Sequence, residues 1–295
     1  MRRPVAVVTD STADLPRDLA RDLGITVVPL TVMVEGQSYL DGVEITPDDF
    51  YRRMRASSSV ATTSQPSPGR FAQAYEELLE SHDEILSLHL PEHLSGTFSA
   101  AQEGAKLVAP GRIEVIDSGL VSMPLGLAAL AAARLSGRGR ERRQLRSELQ
   151  PVLSALRVYF TVGTLEYLRR GGRIGTASAL LGGMLQIKPV LTLRDGQVAP
   201  LERVRTSGRA LERLYELTAG AFAEEELCVI VGHADAQAEA KALADRLSER
   251  SETLLLLPLG PVVGAHAGPG TIGIGVYPAR LLPLGLGTLN VEAAT

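Results

Sequence analysis

Runs of apolar residues that stop at polar loops alternate along this chain with stretches of helical period, the pattern of a parallel sheet with crossover helices. VAVVT (5–9) reads as the first strand and leads into DSTADLP, where Ser11 or Thr12 could cap a helix over 14–23. ITVVPLTVMV (25–34) reads as a second strand that turns at Glu35-Gly36. TPDDFYRRMRA (46–56) starts a helix strongly, with Thr46 as N-cap and Pro47 at the first helical position. SSSVATTSQPS (57–67) is too rich in Ser, Thr and Pro for strand or helix, and a helix follows from about Ser67. EILSLHL (84–90) and RIEVIDS (112–118) are the next strands, with a loop and a helix between them. LVSMPLGLAALAAARL (120–135) reads as a buried helix; a helix over 141–156 and a strand, RVYFTV (157–162), close this half.

Past about residue 160 the character changes. Asp195-Gly196 within RDGQ (194–197) marks a tight hairpin turn, so antiparallel pairs are expected here. A helix over 207–220, a strand around Cys228 and a helix over 236–249 follow. The pattern predicts an α/β protein of two domains, 1–160 and 161–295. The first has a mainly parallel sheet flanked by helices, the second a mixed sheet.

Composition narrows the function. The 295 residues carry 30 Lys and Arg against 34 Asp and Glu, a net charge of −4 with no long block of one sign. That excludes a typical nucleic-acid binder. The basic stretch at 138–146 is broken by Glu141 and reads as the solvated start of a helix. Aromatic residues make up 4% and tryptophan is absent, so a ligand pocket must be walled by aliphatic side chains. Such walls suit a flexible aliphatic chain better than a stacked nucleobase. Cys228 is the one cysteine and lies in an apolar run, which excludes an intramolecular disulfide and fits a buried strand in a reducing compartment. The opening MRRPVAVVTD is too short an apolar run for a signal peptide or a membrane span, and a cytoplasmic location without membrane insertion is expected.

Three loops carry candidate chemistry. Leu94-Ser95-Gly96-Thr97 leads from a strand into a helix and offers free N–H groups, a hydroxyl and a glycine that lets an anion approach. Thr62-Thr63-Ser64-Gln65-Pro66-Ser67 presents four hydroxyls and an amide, with Pro66 holding the preceding residue extended. Two such loops at one end of a parallel sheet would face one crevice. His266 lies among small residues in VGAHAGPG (263–270). For each of these the plain alternative is a helix cap or an ordinary buried histidine. His82, His89, His93, His233 and His266 show no metal spacing, since His89 and His93 fall across Pro91. Gly268, Gly270 and Gly273 formally match a dinucleotide fingerprint, but it does not open a helix after a strand. No Walker A spacing surrounds Lys106, Lys188 or Lys241. No cofactor is expected. Ser95 and His266, with Asp117 or Asp235, could also be read as a serine hydrolase or acyltransferase, although the nucleophile elbow is missing around Ser95.

Several segments together resemble the DegV family of bacterial fatty-acid-binding proteins. They are VTDSTADLP (8–16), TSQPS (63–67), LSGTFSA (94–100), VIDS (115–118), LEYLRRGGRI (165–174), VRT (204–206) and HAGPGTIGIG (266–275), in order along almost the whole chain. The resemblance implies two α/β domains with one long-chain fatty acid between them, delivered to a separate fatty acid kinase that makes an acyl phosphate for phospholipid metabolism. It assigns the carboxylate to Thr63, Ser95 and His266, with Ser64, Thr62 and the Gly96 N–H as neighbours. It makes the protein a carrier, not an enzyme. Met123, Leu125, Leu127, Leu130, Leu180, Leu181, Met184, Leu185 and Ile187 are candidates for the tunnel. Ala177 and Ser178 depart from the bulkier or charged residues of relatives and bear on its floor. Kinase docking is expected through Arg170, Arg173 and Arg205, with Arg169 and Arg203 beside them; local pairing with Glu166 and Glu202 is the alternative.

Overall fold

The computed structural model describes residues 3–56, 60–181 and 187–290. The chain runs β1 (Arg3–Asp10), a 3₁₀ turn (Ser11–Ala13), α1 (Arg17–Asp22), β2 (Ile25–Val28), β3 (Thr31–Val34), β4 (Gln37–Leu40), α2 (Pro47–Ala56), β5 (Thr62–Ser64) and α3 (Pro68–Leu79). Then come β6 (His82–His89), α4 (Thr97–Val108), β7 (Ile113–Asp117), α5 (Met123–Gly137), α6 (Arg142–Ala155), β8 (Arg157–Thr161) and α7 (Glu166–Arg170). A 3₁₀ turn (Gly175–Leu180), β9 (Lys188–Arg194), β10 (Gln197–Val204), α8 (Ser207–Ala221), β11 (Leu227–His233), α9 (Gln237–Leu247), β12 (Ser251–Pro258), α10 (Pro261–Ala267), β13 (Ile272–Pro278) and β14 (Gly287–Asn290) complete it.

Three sheets result. β2-β1-β6-β7 is parallel throughout, as the apolar runs separated by helices require. β10-β9-β8-β13-β11-β12-β14 is mixed. Its β9–β10 hairpin turns at Asp195 and Gly196, both with positive φ, as the Asp-Gly pair predicts. The strand at 157–162, expected to close the first half, is instead the third strand of this second sheet and pairs with β9 and β13. The third sheet, β4-β3-β5, is small and antiparallel.

That small sheet corrects two expectations. The run 25–34 is two strands in two sheets, broken at Pro29-Leu30. Pro29 has no N–H to give a ladder, and the Leu30 N–H is taken by the Ser11 hydroxyl at 3.1 Å. The hydroxyl-rich stretch expected to be irregular contains β5, in which Val32 faces Thr63 across the ladder. A third correction concerns 14–23. Ser11 and Thr12 lie in a 3₁₀ turn capped by the Asp10 side chain, which accepts the Thr12 N–H at 3.0 Å, and the helix starts only behind Pro16.

The buried helix read at 120–135 is α5, and its burial has a cause in the architecture. It packs on β1 of the parallel sheet and on β11 and β13 of the mixed one. A helix between two sheets has no wet side and must be apolar all round. One continuous core joins Val5 and Val7 of β1, Leu125, Leu127 and Leu130 of α5, and Cys228 and Ile230 of β11.

Candidate functional site

Loops at the C-terminal ends of β1 and β6, the small sheet, α10 and strands β8 to β10 line a cavity with about 950 Å³ of empty space, open solvent included. Its walls are mainly aliphatic: Leu90, Leu94, Val121, Met123, Val158, Leu193, Leu259 and Val262 contribute, with Phe160 the one Phe, Tyr or Trp among the described lining residues. Its polar lining includes Thr63, Ser64, Gln65, Ser95, Arg173 and His266. A smaller cavity adjoins it, lined by Val60, Thr62, Tyr167, Arg170 and Gly171. Thr63, Arg173 and His266 line both, so they form the partition.

The partition is built from three distant segments. β5 holds Thr63 on the ladder, and the Thr63 hydroxyl meets His266 Nε2 at 2.8 Å. α10 carries His266 in its last turn. The other ring nitrogen, Nδ1, is buried without a hydrogen-bond partner. Gly171 explains why: a Cβ there would overlap Nδ1, so the glycine backbone closes directly over the ring edge. Burial, and then the Arg173 charge, pull the imidazole down to about 4, which keeps it neutral at neutral pH. Gly268 plays a matching part, since a side chain there would collide with the Tyr167 ring. The segments LEYLRRGGRI and HAGPG are thus two halves of one packing contact.

Ser95 sits in the turn before α4. Its hydroxyl meets the Thr97 hydroxyl at 2.9 Å and accepts the Thr97 N–H at 3.3 Å. His266 bonds Thr63, Ser95 bonds Thr97, Asp117 accepts the Glu92 and Gly119 N–H groups, and Asp235 pairs with Arg55. The parts of a hydrolytic triad therefore stand in four separate arrangements.

Other expected residues are distributed differently. Ser64 lines the main cavity, whereas Thr62 lines only the smaller one. Gly96 lines neither; a Cβ on it would come within 2.5 and 2.6 Å of the Gln65 amide, so it serves the close approach of Gln65. Arg173, read from the sequence as a docking residue, turns inward. Its guanidinium donates to the Leu94 carbonyl at 2.9 Å and to the Gly171 carbonyl at 2.6 Å. Arg170 stays at the rim, half exposed and paired with Glu166 at 2.6 Å, and Arg169 shares that carboxylate. Arg205, just past the far end of β10, is exposed and lines neither cavity. Glu202 pairs with Arg213, not with Arg203 or Arg205.

The tunnel residues need correction. Met123 lines the cavity, but Leu125, Leu127 and Leu130 are core, because only the first turn of α5 reaches the cavity. Leu180 and Ala177 belong to a separate buried cluster with Ile187 against it, and Leu181 is exposed. Met184 and Leu185 lie outside the described residues. Sequence reasoning noted the Gln65 amide within its loop but missed Thr12 and Ser122 in the lining. Of the dinucleotide-like glycines, Gly268 and Gly270 form a turn between α10 and β13, both at positive φ, and Gly273 lies in β13, the reverse of a strand-to-helix phosphate loop. Among the described residues no group of three His, Cys, Asp or Glu could hold a metal, and no helix is long and apolar enough to cross a membrane.

Comparison with known proteins agrees with this architecture. Residues 4–279 match the family model described as "Uncharacterised protein, DegV family". A DegV domain-containing protein of Streptomyces coelicolor is 42% identical over 278 residues, 93% of this chain and 98% of that protein. A solved DegV family protein from Thermus thermophilus, described for its fatty acid binding, superposes with a TM-score of 0.88 at 39% identity, covering 94% of this chain and all of the other. DegV of Bacillus subtilis, a fatty acid binding protein, gives 0.87 at 32% identity over 94% of this chain and 99% of its own. With the family model spanning nearly the whole chain and these relatives matching it end to end, the chain belongs to the DegV family.

Proposed function

We propose that this protein binds one long-chain fatty acid in the main cavity, its carboxylate held by Thr63, Ser95 and His266 with Ser64 and Arg173 close by. The observation that carries this reading is the partition itself: hydroxyl, imidazole and guanidinium groups gathered at one place on an otherwise aliphatic cavity. A carboxylate leaving water needs several donors, and an acyl tail needs dry walls. Burying about 14 methylenes at roughly 0.8 kcal/mol each supplies on the order of 11 kcal/mol before ordering costs, enough for tight retention. Relatives described as fatty acid binding proteins support the same ligand class.

In this reading the protein is a carrier without chemistry of its own, and a separate fatty acid kinase converts the bound acid to an acyl phosphate. The smaller cavity, on the other side of the partition, is the approach by which such a partner would reach the carboxylate. Ser95 bonds Thr97 and His266 bonds Thr63 instead of each other, which favours the carrier over a hydrolase.

The test is direct. Denaturing extraction and mass spectrometry of the purified protein should release a stoichiometric fatty acid. Thr63→Ala and Ser95→Ala should each weaken retention by about 1.5 to 3 kcal/mol, tenfold or more, while thermal melting without lipid changes little. Full occupancy in both variants would sink the assignment of the carboxylate. Covalent labelling of Ser95 by an active-site phosphonate, lost in His266→Ala, would instead make the protein a hydrolase.

A further inference from the structure

Beneath the partition lies a second polar cluster that the fatty-acid reading does not use. Asp14 follows the first 3₁₀ turn and adopts positive φ; Asp41 follows β4. Both converge on Gly260, the residue before α10. If Gly260 carried a Cβ, that atom would lie 2.8 Å from Asp14 Oδ1 and 3.3 and 3.7 Å from the two oxygens of Asp41.

Asp14 holds the start of α10, and Asp41 stands beside it. Asp14 Oδ1 accepts the Gly260 N–H at 3.0 Å, and its Oδ2 accepts the Ser122 hydroxyl at 2.5 Å, tying the first turn of α5 to the same point. The Asp41 carboxyl lies near the Val262 N–H and the Ser11 hydroxyl. Its Oδ2 is buried with no partner at all, and the residue is 3% exposed. Two buried carboxyl groups so close would ordinarily be joined by a cation. Among the described residues neither forms an ion pair, and the groups that face them are acidic or neutral. Asp10 approaches from β1, already bonded to His89, Thr12 and the Leu90 N–H. Tyr51 approaches from α2, with Asp235 beyond it. α5 offers Ser122, and the first turn of α10 offers only Pro261, Val262 and Val263.

We propose that Asp14 and Asp41 are positioning residues for His266, flanking the first turn of α10 together, and that lipid retention requires this pair to stay uncharged. The inference rests on the fatty-acid reading, because retention is its readout. The physical reason is the missing cation. A charge in this dry site would meet no cation, and relaxation would move α10 and the imidazole it carries. Burial pushes Asp41 up to about 7 and Asp14 well above its ordinary value, so the pair's first charge, on Asp41, develops as the pH rises through neutrality. His266 titrates near 4, outside that window.

The experiment follows radiolabelled stearate leaving the loaded protein for phosphatidylcholine vesicles between about pH 5.5 and 8.5, in the parent, Asp41→Asn and Asp41→Ala. Rates are read as variant-to-parent ratios at each pH, which cancels the titration of stearate in the acceptor. Release from the parent should accelerate above about pH 7, by at most about tenfold per pH unit for one proton. Asp41→Asn keeps the size and shape of the side chain but has no proton to lose, so its release should stay slow. Asp41→Ala should release fast at every pH; should it not fold, the Asp41→Asn to parent ratio decides alone. A constant Asp41→Asn to parent ratio across the range would overturn the inference. Failure of the parent to take up stearate at any pH would overturn the fatty-acid reading instead.

Discussion

His266 has one partner where an imidazole can have two. Thr63 occupies Nε2, and Gly171 blocks any side chain from reaching Nδ1, so a bound carboxylate competes for a ring that has no alternative contact. The ring's depressed basicity has a definite consequence for the lipid-free protein. Between pH 6.5, where an unfolded histidine titrates, and about 4, where His266 does, the unfolded chain binds more protons than the folded one. Stability should therefore fall as the pH drops through this window, and His266→Gln should remove that part of the slope in denaturant titrations; an unchanged slope would show that the ring is not buried neutral. At this scale the sequence was partly readable. Thr63, Ser95 and His266 stood out because hydroxyls before helix starts and a histidine among small residues are local patterns. Arg173 did not, because nothing in RRGGRI tells that its guanidinium folds back onto the Leu94 carbonyl, 79 residues away.

Elements were readable where their period was long and their neighbours did not matter. α5 was expected to be buried, and it is; what the pattern could not say was which buried residues meet ligand. That depends on where the helix axis points, and only Met123 and its neighbours Val121 and Ser122 reach the cavity. Leu127→Ala should accordingly cost about 2 to 5 kcal/mol of stability and leave the chain-length profile of bound lipid unchanged. Extraction and mass spectrometry beside a melting curve would check both halves of that expectation. Short elements were harder. β5 spans only Thr62–Ser64, two strand-favouring threonines hidden in a stretch rich in Ser and Pro, and pairing with β3 brings them out as a strand. The break at Pro29 was visible as a proline, yet its meaning depended on a hydroxyl from Ser11, 19 residues earlier.

For the whole molecule, alternating strands and helices announced the parallel sheet, and the Asp-Gly turn announced a hairpin in a mixed one. The order of strands was out of reach, because β8 pairs with β13 across more than a hundred residues, and no local signal carries that choice. Docking of a kinase also belongs to this scale. Arg170 at the rim of the smaller cavity and exposed Arg205 are the proposed contacts. Reversing both to Glu should slow acyl-phosphate formation, most at low salt, and leave bound fatty acid in place. Unchanged phosphorylation at low salt would put the contact elsewhere, and lost lipid would make these residues supports of the pocket. The helix shared by both sheets reaches further than its own packing. Ala128, Ala129, Ala131 and Ala132 are fully buried on α5 together with Leu125, Leu127 and Leu130, so side chains of both sizes fill the wedge between the sheets. The cavity lies at the N-terminal end of that wedge, where Met123 lines it. Side chains of α5 that line no part of the cavity therefore help to set the spacing of the sheets beside it.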